Sequence, residues 1–405
     1  MQNQVIAILA AAGLLLAGCM DPVASYDQES LKQLTVQARW PEGFPPAEGA
    51  SVTVENVAGG YSYRLFTNAE GKAAARIPGG VYRIMVSDRT RPGDIFNGSA
   101  DKLVLTEKDR TVEVPLFHST SSPLLIKEIY TGGCSKEPQE GTYQSDKYLI
   151  IHNNDLETVW LDSLCIGTLA PYNSTAVNHW ADAAGQLPAG FVPIIQAVWM
   201  VPGDGSRFPL GPGQDAIICL NGAIDHSAQY PRSVNLDRPD CFVCYNPLFT
   251  NTNYHPAPGP HIRQDHILEL VIKVGQANAY TISVSSPTAV IFKARGTDIY
   301  SFVKDNRNLQ LTPGSTVDWV VTIPTEWVLD GVEVFDGRSS NNGKRLISSI
   351  DAGYVTQSEP FKSHSLLRNT DEPASAAFGF EVLQDTNNSS NDFHERETQT
   401  LHDES

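Results

Sequence analysis

Short runs in which apolar and polar residues alternate, separated by turn-forming residues, are the dominant pattern of this sequence. Residues 35–40, 52–57 and 82–86 alternate in this way, and Gly-rich or Pro-rich turns at 58–60 and 78–80 divide them. Period-two alternation between such turns is typical of half-buried antiparallel strands, and glycine supplies the positive φ that tight turns require. About seven such strands in this part of the chain predict a small β-sandwich.

The rest of the chain continues the same texture. Residues 124–133, 147–154 and 159–166 predict three further strands. More strands are predicted at the later apolar runs 198–201, 216–220, 268–274, 317–323 and 332–335. Helical periodicity is scarce: the best candidate helix is the short stretch 223–230, and 171–191 is predicted to be a long loop.

The length of the chain, 405 residues, allows more than one hydrophobic core. We therefore predict an all-β protein with two antiparallel β-sandwich domains after an amino-terminal signal peptide. The predicted segments are a signal peptide (1–18), a tether (19–30), a first sandwich (31–118) and a larger sandwich region with long loop insertions (123–395). A short Ser- and Thr-rich linker, 118–122, joins the two sandwiches.

The amino terminus carries a specific motif. Val5 to Leu16 is an unbroken run of apolar and small residues, and the run leads into Leu16-Ala17-Gly18-Cys19. About twelve such residues are too few to span a bilayer, and they suit the core of a secretory signal. The ending resembles the lipobox of bacterial lipoproteins, which implies that Cys19 receives a diacylglyceryl group and becomes the first residue of the mature protein. The alternative is a buried amino-terminal helix with an incidental cysteine.

The charge of the chain argues against a nucleic-acid partner. Its 29 Lys and Arg against 46 Asp and Glu give a formal net charge of −17. Phosphate neutralisation by basic groups supplies most of the affinity of nucleic-acid binders, so we predict no such partner. An acidic surface keeps an exported protein soluble and apart from anionic lipid head groups. Beyond the signal, no segment approaches the roughly eighteen apolar residues of a membrane span.

A family motif lies in the first sandwich. Residues 67–73 read Thr-Asn-Ala-Glu-Gly-Lys-Ala, and residues 77–82 read Ile-Pro-Gly-Gly-Val-Tyr. The segment 31–117 resembles the carboxypeptidase-regulatory-like, immunoglobulin-related module, whose pattern is Thr-Asx-x-x-Gly, an apolar strand and then Pro-Gly-x-Tyr. That family acts as a spacer or stability module, so the resemblance implies no catalytic residues in this segment.

The second region resembles the lamin-tail-like β-sandwich. That family has an Ile-x-Glu-Ile strand, a Tyr-Ile-x-Ile-x-Asn strand, a Val-x-Leu strand and a Leu-x-Pro-Gly turn, which match at 126–129, 148–153, 159–161 and 210–213. With the signal and the Asp-Thr-Asn-Asn-Ser ending at 385–389, the chain resembles an uncharacterised lipoprotein family of Bacteroides-type Gram-negative bacteria. The resemblance implies the fold and an envelope location, and it implies no activity.

The sharpest local motif in the mature chain is Cys241-Phe-Val-Cys244. Such a pair can be a redox couple or half of a zinc site, and structural disulfides or buried thiols are the favoured interpretation. Two nearby histidines, His255 and His261, lie in a proline-rich stretch, and histidines with cysteines suit a transition metal such as zinc or copper. We name these four residues as candidate metal ligands; the alternative is a set of unrelated turn histidines.

Other chemical signals are weak. Residues 385–392 offer oxygen ligands spaced like part of a calcium loop, although Asx turns are the favoured interpretation. The chain has no Gly-x-Ser-x-Gly elbow, no phosphate-binding loop and no dinucleotide motif. We predict no catalytic residue and no cofactor, with a transition metal left open.

These observations predict a membrane-anchored lipoprotein of the cell envelope, which lies on either the periplasmic or the surface face of the outer membrane. Its expected role is non-catalytic binding or assembly in an uptake or surface complex. Its expected partners are the membrane, through the lipid anchor, and an envelope protein or surface ligand, bound by the loops 171–197 and 226–265. The alternatives are a metal-binding accessory lipoprotein that uses Cys241, Cys244 and nearby histidines, and an extracytoplasmic hydrolase.

Overall fold

The computed structural model describes residues 31–88, 94–106 and 108–403. The predicted signal peptide, tether and lipidation site at Cys19 lie outside the described residues. Strands account for 39% of the structure and helices for 8%, which confirms the all-β prediction. Among the described residues, no helix combines the length and apolarity that a membrane crossing requires.

The first sandwich is built from eight strands. They are β1 (Lys32–Arg39), β2 (Ser51–Asn56), β3 (Ser62–Phe66), β4 (Lys72–Ile77), β5 (Gly80–Asp88), β6 (Asp94–Leu105), β7 (Arg110–Pro115) and β8 (Phe117–Thr120). One sheet has the order β4-β1-β7 and the other has the order β3-β2-β5-β6-β8. The last strand, β8, occupies part of the predicted linker, because its residues pair with β6 in the five-stranded sheet.

Alternation places the core of this sandwich between its two sheets. In β2, Val52 and Val54 are fully buried while their neighbours are half-exposed. Buried aliphatic and aromatic residues of both sheets meet there, including Leu34, Ile84 and Phe96. The period-two pattern in the sequence therefore predicts the inward face of this sandwich correctly.

The larger sandwich follows from residue 124. Its strands are β9 (Leu124–Tyr130), β10 (Cys134–Ser135), β11 (Thr142–Tyr143), β12 (Tyr148–Asn153), β13 (Val159–Trp160), β14 (Cys165–Leu169), β15 (Phe191–Met200), β16 (Pro209–Leu210), β17 (Asp215–Cys219), β18 (Cys241–Val243), β19 (Glu269–Lys273), β20 (Thr288–Phe292), β21 (Leu309–Leu311), β22 (Trp319–Pro324), β23 (Val328–Asp336), β24 (Val355–Gln357), β25 (Ser365–Arg368) and β26 (Phe393–Arg396). Four short helices accompany them: α1 (Ile299–Lys304), α2 (Glu372–Phe378), α3 (Ser389–Asp392) and α4 (Thr400–Asp403). Single 3₁₀ turns lie at Gln264–His266, Asn306–Asn308 and Thr325–Trp327.

Two large sheets form this sandwich. One has the order β18-β17-β12-β9-β25-β26, and the other has the order β21-β22-β15-β14-β20-β23-β24, with β19 also paired to β15. Apolar residues from both sheets fill the space between them, with Trp199 fully buried at the centre of the cluster. A second apolar cluster covers the other face of the six-stranded sheet, where Leu401 of α4 packs against it.

Two local predictions have different outcomes. Residues 223–230 form turns where a helix is predicted, because Asp225 pairs with Asn235 in a β-bridge and the backbone N–H of His226 donates to Val234. Residues 171–190 contain no strand or helix, which agrees with the predicted loop.

The two sandwiches are joined by polar contacts that span the sequence. The Ser121 hydroxyl donates to the Asp385 carboxylate at 2.6 Å, and the Asn97 amide donates to the carbonyl of Thr386 at 2.5 Å. The Tyr354 hydroxyl donates to Glu55. These bonds connect the outer face of the five-stranded sheet to the carboxy-terminal segment of the larger sandwich, and they fix the position of the groove described below.

Candidate functional site

The predicted Cys241-x-x-Cys244 pair is divided between the two faces of the six-stranded sheet. Cys241 packs in the apolar cluster on the outer face of that sheet, beside Cys219, and Cys244 points into the core between the sheets. All five cysteines among the described residues are buried and free. Burial raises the pKa of the Cys219 and Cys244 thiols well above its usual value. These side chains therefore act as apolar packing groups.

The two predicted histidine ligands occupy different environments. His255 is buried: its Nε2 accepts from the backbone N–H of Asn246 at 3.2 Å, and burial lowers its pKa to about 4. His261 is exposed, and its Nδ1 lies 2.8 Å from a carboxylate oxygen of Asp237. One ring is a neutral core group, and the other makes a contact with a carboxylate at the surface, which is worth little energy in water.

The structure therefore does not bring Cys241, Cys244, His255 and His261 together. Within the described ranges, one group of three His, Cys, Asp or Glu side chains is clustered closely enough to hold a metal ion, and none of the four belongs to it. That group is His152, Asp215 and Glu381, whose ligand atoms lie within 4.8 Å of one another.

Strand pairing explains how this group forms. His152 in β12 lies directly opposite Asp215 in β17, and Lys127 comes from β9 on the other side of β12. Glu381 follows α2 and reaches the same place from the carboxy-terminal segment. The sequence-based prediction missed this group, although one signal for it is present: a histidine within the apolar strand 148–153. Burying a histidine in such a strand requires a polar partner on a neighbouring strand.

Hydrogen bonds saturate the group. The Lys127 ammonium donates to Asp215 at 2.6 Å and to Glu381 at 2.5 Å. The Nδ1 of His152 lies 2.6 Å from the other Asp215 oxygen, and its Nε2 lies 3.0 Å from the carbonyl of Glu381. Both ring nitrogens of His152 thus lie beside oxygen atoms that can accept a hydrogen bond.

Charge balance gives this network its role. Burial alone would raise the pKa of Asp215, but the hydrogen bonds from His152 and Lys127 outweigh it and hold that pKa below its usual value. Two carboxylates thus face an ammonium and an imidazole ring. A metal ion at this place would have to displace Lys127, so the network acts as a charged clamp between the six-stranded sheet and the carboxy-terminal segment.

A second charged cluster lies inside the larger sandwich. Arg368 donates to Asp330 at 2.5 Å and lies 3.6 Å from both Asp385 and Asp392, with all four side chains at most 2% exposed. Burial raises the pKa of Asp330 to about 6 and that of Asp392 to about 7, although Arg368 opposes both shifts. The motif at 385–392 thus closes the sandwich around an arginine, and its Asn388 side chain accepts from the Ser390 backbone in an Asx turn.

An open groove of about 500 Å³ lies where the two sandwiches meet. The outer face of the five-stranded sheet forms one wall, and the edge strands β24 and β26 with α3 form the other. Seven of its lining residues are aromatic or charged: Glu55, Tyr61, Arg64, Tyr354, Phe393, His394 and Glu395. Grooves at domain boundaries that combine aromatic and charged groups are common binding sites.

The groove owes its shape to a stack at the domain boundary. The ring of Tyr354 stacks on Phe335 with centroids 4.0 Å apart, and the guanidinium of Arg83 lies 5.0 Å from each of the two ring centroids. This stack fixes one end of the wall, because each of its members is anchored in a strand or next to one. No pattern in the sequence indicates the groove, since its residues are far apart in the chain and belong to five strands, to α3 and to flanking turns.

Comparison with known proteins agrees with this fold. Residues 211–400 match the family model described as "Protein of unknown function (DUF4876)". The crystal structure of a DUF4876 family protein from Bacteroides thetaiotaomicron VPI-5482 is similar over 90% of this chain and 94% of that chain, with 24% sequence identity and a TM-score of 0.57. At this identity the likeness shows the fold. No curated protein matches the chain.

Two further solved structures match with much lower scores. The match to a DUF3823 family protein from Parabacteroides merdae ATCC 43184 covers 34% of this chain and 66% of that protein's chain, with 9% identity and a TM-score of 0.17. The match to GBS52, the minor pilin of Streptococcus agalactiae, covers 73% of this chain and 91% of the pilin chain, with 10% identity and a TM-score of 0.18. By the match over residues 211–400 and the similar Bacteroides thetaiotaomicron structure, the chain is similar, in its carboxy-terminal half in sequence and more widely in fold, to a family of unknown function.

Proposed function

We propose that this chain is a membrane-anchored lipoprotein of the cell envelope that acts as a non-catalytic binding or assembly module. The observation that carries the proposal is the groove between the two sandwiches. It is open to solvent, it combines aromatic and charged side chains such as Tyr61 and Arg64, and its walls are held by hydrogen bonds across the domain boundary. A rigid groove of this kind binds a partner without the cost of ordering it first.

The sequence supports the anchor. The ending Leu16-Ala17-Gly18-Cys19 resembles a lipobox, and the tether 19–30 would leave the two sandwiches outside the lipid. The resemblance to immunoglobulin-like and lamin-tail-like modules supports a role in binding or in spacing, within an uptake or surface complex of the outer membrane. On this proposal the partner is an envelope protein or a surface ligand.

Crosslinking in the native envelope tests the proposal. A photoreactive phenylalanine replaces Tyr61 or His394, one on each wall of the groove, in the full-length chain expressed in a Bacteroides host. Trp319, which is exposed on β22 outside the groove, is the control position. We expect both groove positions to give the same covalent adduct and the control position to give none. Adducts that are equal at all three positions would contradict the proposal.

The anchor is tested in the same cells. Cys19→Ala removes the thiol that accepts the lipid, so we expect this variant to move from the membrane fraction to the soluble envelope fraction. Incorporation of a labelled fatty acid into the parent chain, and none into the variant, is the second readout. A variant that stays in the membrane fraction and remains labelled would remove the anchor from the proposal and leave the binding role to the crosslinks.

A further inference from the structure

The edge of the five-stranded sheet at β3 has free backbone hydrogen-bonding groups. The N–H of Asn56 donates to the carbonyl of Tyr61, and the N–H of Thr67 donates to the carbonyl of Ala50. Both bonds join an even-numbered residue on the β2 side to an odd-numbered residue on the β3 side. Since bonded pairs alternate along an antiparallel ladder, the even-numbered residues of β3 turn their N–H and C=O groups away from β2.

Those residues are Ser62, Arg64 and Phe66. In the part of the chain that the structure describes, no hydrogen bond reaches their outward backbone groups. Their side chains are exposed and lie on the outer face of the sheet, and those of Ser62 and Arg64 line the groove. The edge of β3 therefore offers donors and acceptors at every second residue, beside a groove that can take side chains.

The edges of the other sheet are protected differently. Lys72 and Arg76 flank the exposed face of β4, and β7 ends at Pro115. Charged residues and proline on an edge strand oppose the addition of another strand. On β3 the single charged side chain is Arg64, and Phe66 beside it is 59% exposed.

Arg64 sets the charge that a partner must carry. Glu55 accepts from the Tyr354 hydroxyl, and Glu395 accepts from the backbone of Ser358 and pairs with His364, so the carboxylates of the groove already have partners. Among the described residues, Arg64 makes no ion pair, and its guanidinium lies over the ring of Phe66 at 5.8 Å. The charged group of the groove that lacks a counterion is thus a cation.

We propose that β3 binds an extended polypeptide segment of a partner protein as an added strand, with an acidic residue opposite Arg64 and an apolar residue opposite Phe66. Residues directly opposite each other on neighbouring strands point to the same face, so both partner side chains lie on the groove side of the sheet. Backbone hydrogen bonds supply the affinity, and the two side-chain positions supply the specificity. This inference rests on the proposed binding function and names the class of partner.

A designed peptide tests strand addition. The probe is the fluorescein-labelled sequence Thr-Val-Thr-Glu-Thr-Thr-Thr, which in antiparallel register places Val opposite Phe66 and Glu opposite Arg64. Its binding to the chain from residue 20 to 405 is measured by fluorescence anisotropy. A peptide that carries Lys in place of Glu should bind about tenfold more weakly, because two like charges would then face each other.

Backbone methylation separates strand addition from charge attraction. N-methyl groups on Val and Glu, whose N–H groups face β3, should weaken binding at least tenfold because two hydrogen bonds are lost. The control peptide carries the same number of N-methyl groups on the two Thr residues that flank Glu, whose N–H groups face away from β3. This control should bind like the parent peptide.

Protein variants complete the test. Arg64→Glu should weaken the parent peptide about tenfold and strengthen the Lys peptide, and Arg64→Lys should restore binding of the parent. Arg110→Glu makes the same charge change on β7 of the other sheet and should leave both peptides unaffected. Equal affinity for the two N-methylated peptides would overturn strand addition.

Other occupants give distinct results. A dimer in light scattering that Arg64→Glu dissociates would assign the edge to a second copy of the chain and overturn the proposal. Tighter peptide binding after removal of residues 20–30 would assign the edge to the tether and would also overturn the proposal. The groove positions could crosslink an envelope partner while N-methylation of Val and Glu leaves the affinity of the peptide unchanged. In that case strand addition is wrong and the proposed binding function stands.

Discussion

Arg368 and Asp330 face each other inside the larger sandwich, with the guanidinium Nη2 2.5 Å from the carboxylate Oδ2 and each side chain 2% exposed. Arg368 also donates to the carbonyl of Ile126, and Asp330 accepts from the backbone N–H of the same residue. The pair therefore joins β25, β9 and β23 at one point. A buried pair of this kind holds three strands in register, although its net contribution to stability is small compared with its electrostatic attraction.

Arg368→Met should destabilise the protein by about 3–5 kcal/mol, because it leaves buried carboxylates without their cation. Urea unfolding followed by tryptophan fluorescence measures the change. The double variant Arg368→Met/Asp330→Asn removes one of those carboxylates as well and should lose less. A double variant that is less stable than the single one would contradict this account of the pair.

Asp392 should make stability depend on pH. Burial raises its pKa to about 7, whereas aspartate in an unfolded chain titrates near pH 3.9, which is approximately its unperturbed value. The folded state holds this proton more tightly, so its stabilising effect is complete below about pH 4 and is lost as the pH rises through about 7. Asp392→Asn stays neutral across this range. Between pH 4 and 8, its free energy of unfolding should therefore rise relative to that of the parent by a few kcal/mol, since one pKa unit corresponds to about 1.4 kcal/mol.

Urea midpoints at intervals across that range measure the effect of Asp392→Asn. The exposed residue Asp204 provides the control, since Asp204→Asn should keep the pH profile of the parent. Parallel profiles for the parent and the Asp392 variant would show that this carboxyl does not change its protonation on folding.

Lys127→Met should turn the clamp at His152, Asp215 and Glu381 into a zinc site. The ammonium now contacts both carboxylates, and its removal leaves two carboxylates and an imidazole that can serve as zinc ligands. Zinc titration followed by calorimetry should show at least tenfold tighter binding to the variant than to the parent. Lys127→Arg keeps the charge and should bind zinc as weakly as the parent. Lys127→Met/Asp215→Asn lacks one of the carboxylate ligands, so it should lose the zinc affinity that Lys127→Met alone provides.

The five described cysteines should resist thiol reagents in the folded protein. They are buried and free, and burial raises the pKa of Cys134 to about 12, so the reactive thiolate is scarce at neutral pH. An Ellman assay on residues 20–405 should titrate none of them within minutes under native conditions and all five in urea. Rapid labelling of Cys241 or Cys244 in the native protein would contradict their burial.

Asn97→Ala should weaken the connection between the sandwiches. The Asn97 amide is fully buried and donates to the carbonyls of Thr386 and Asn387, which are left without that donor when the side chain is removed. Scanning calorimetry should show the thermal transition broaden or split as the two sandwiches unfold at different temperatures. Thr111→Ala, in β7 on the opposite sheet, should keep the parent profile.

The sequence predicted the strands better than it predicted what they bring together. The apolar run 147–154 became β12, and the run 124–133 became β9, because alternation and turn residues act locally. The run 159–166 was predicted as one strand and is divided into β13 and the start of β14. Asp162 causes the break: its carboxylate accepts from the backbone N–H groups of Gly205, Arg207 and Phe208, which holds a turn at this point.

The sites depended on pairings that no local pattern records. His152 and Asp215 meet because β12 and β17 are neighbours, and Glu381 joins them from 229 residues beyond His152. Conversely, Cys241 and Cys244 are close in sequence and far apart in environment, because the chain leaves β18 between them and enters the core. Spacing in the sequence suggested a metal site where the strand pairing places packing residues.

The late position of β25 in the chain has a consequence for folding during synthesis. The larger sandwich begins with β9, yet one of the two neighbours of β9 is β25, and the Arg368 to Ile126 bond joins residues 242 positions apart. Until β25 emerges, β9 keeps an open edge of buried-type residues, which invites pairing with other chains, and such long-range closure is slow. A message cut short between residues 121 and 364 thus produces a first sandwich attached to a sheet whose edge is unpaired at β9.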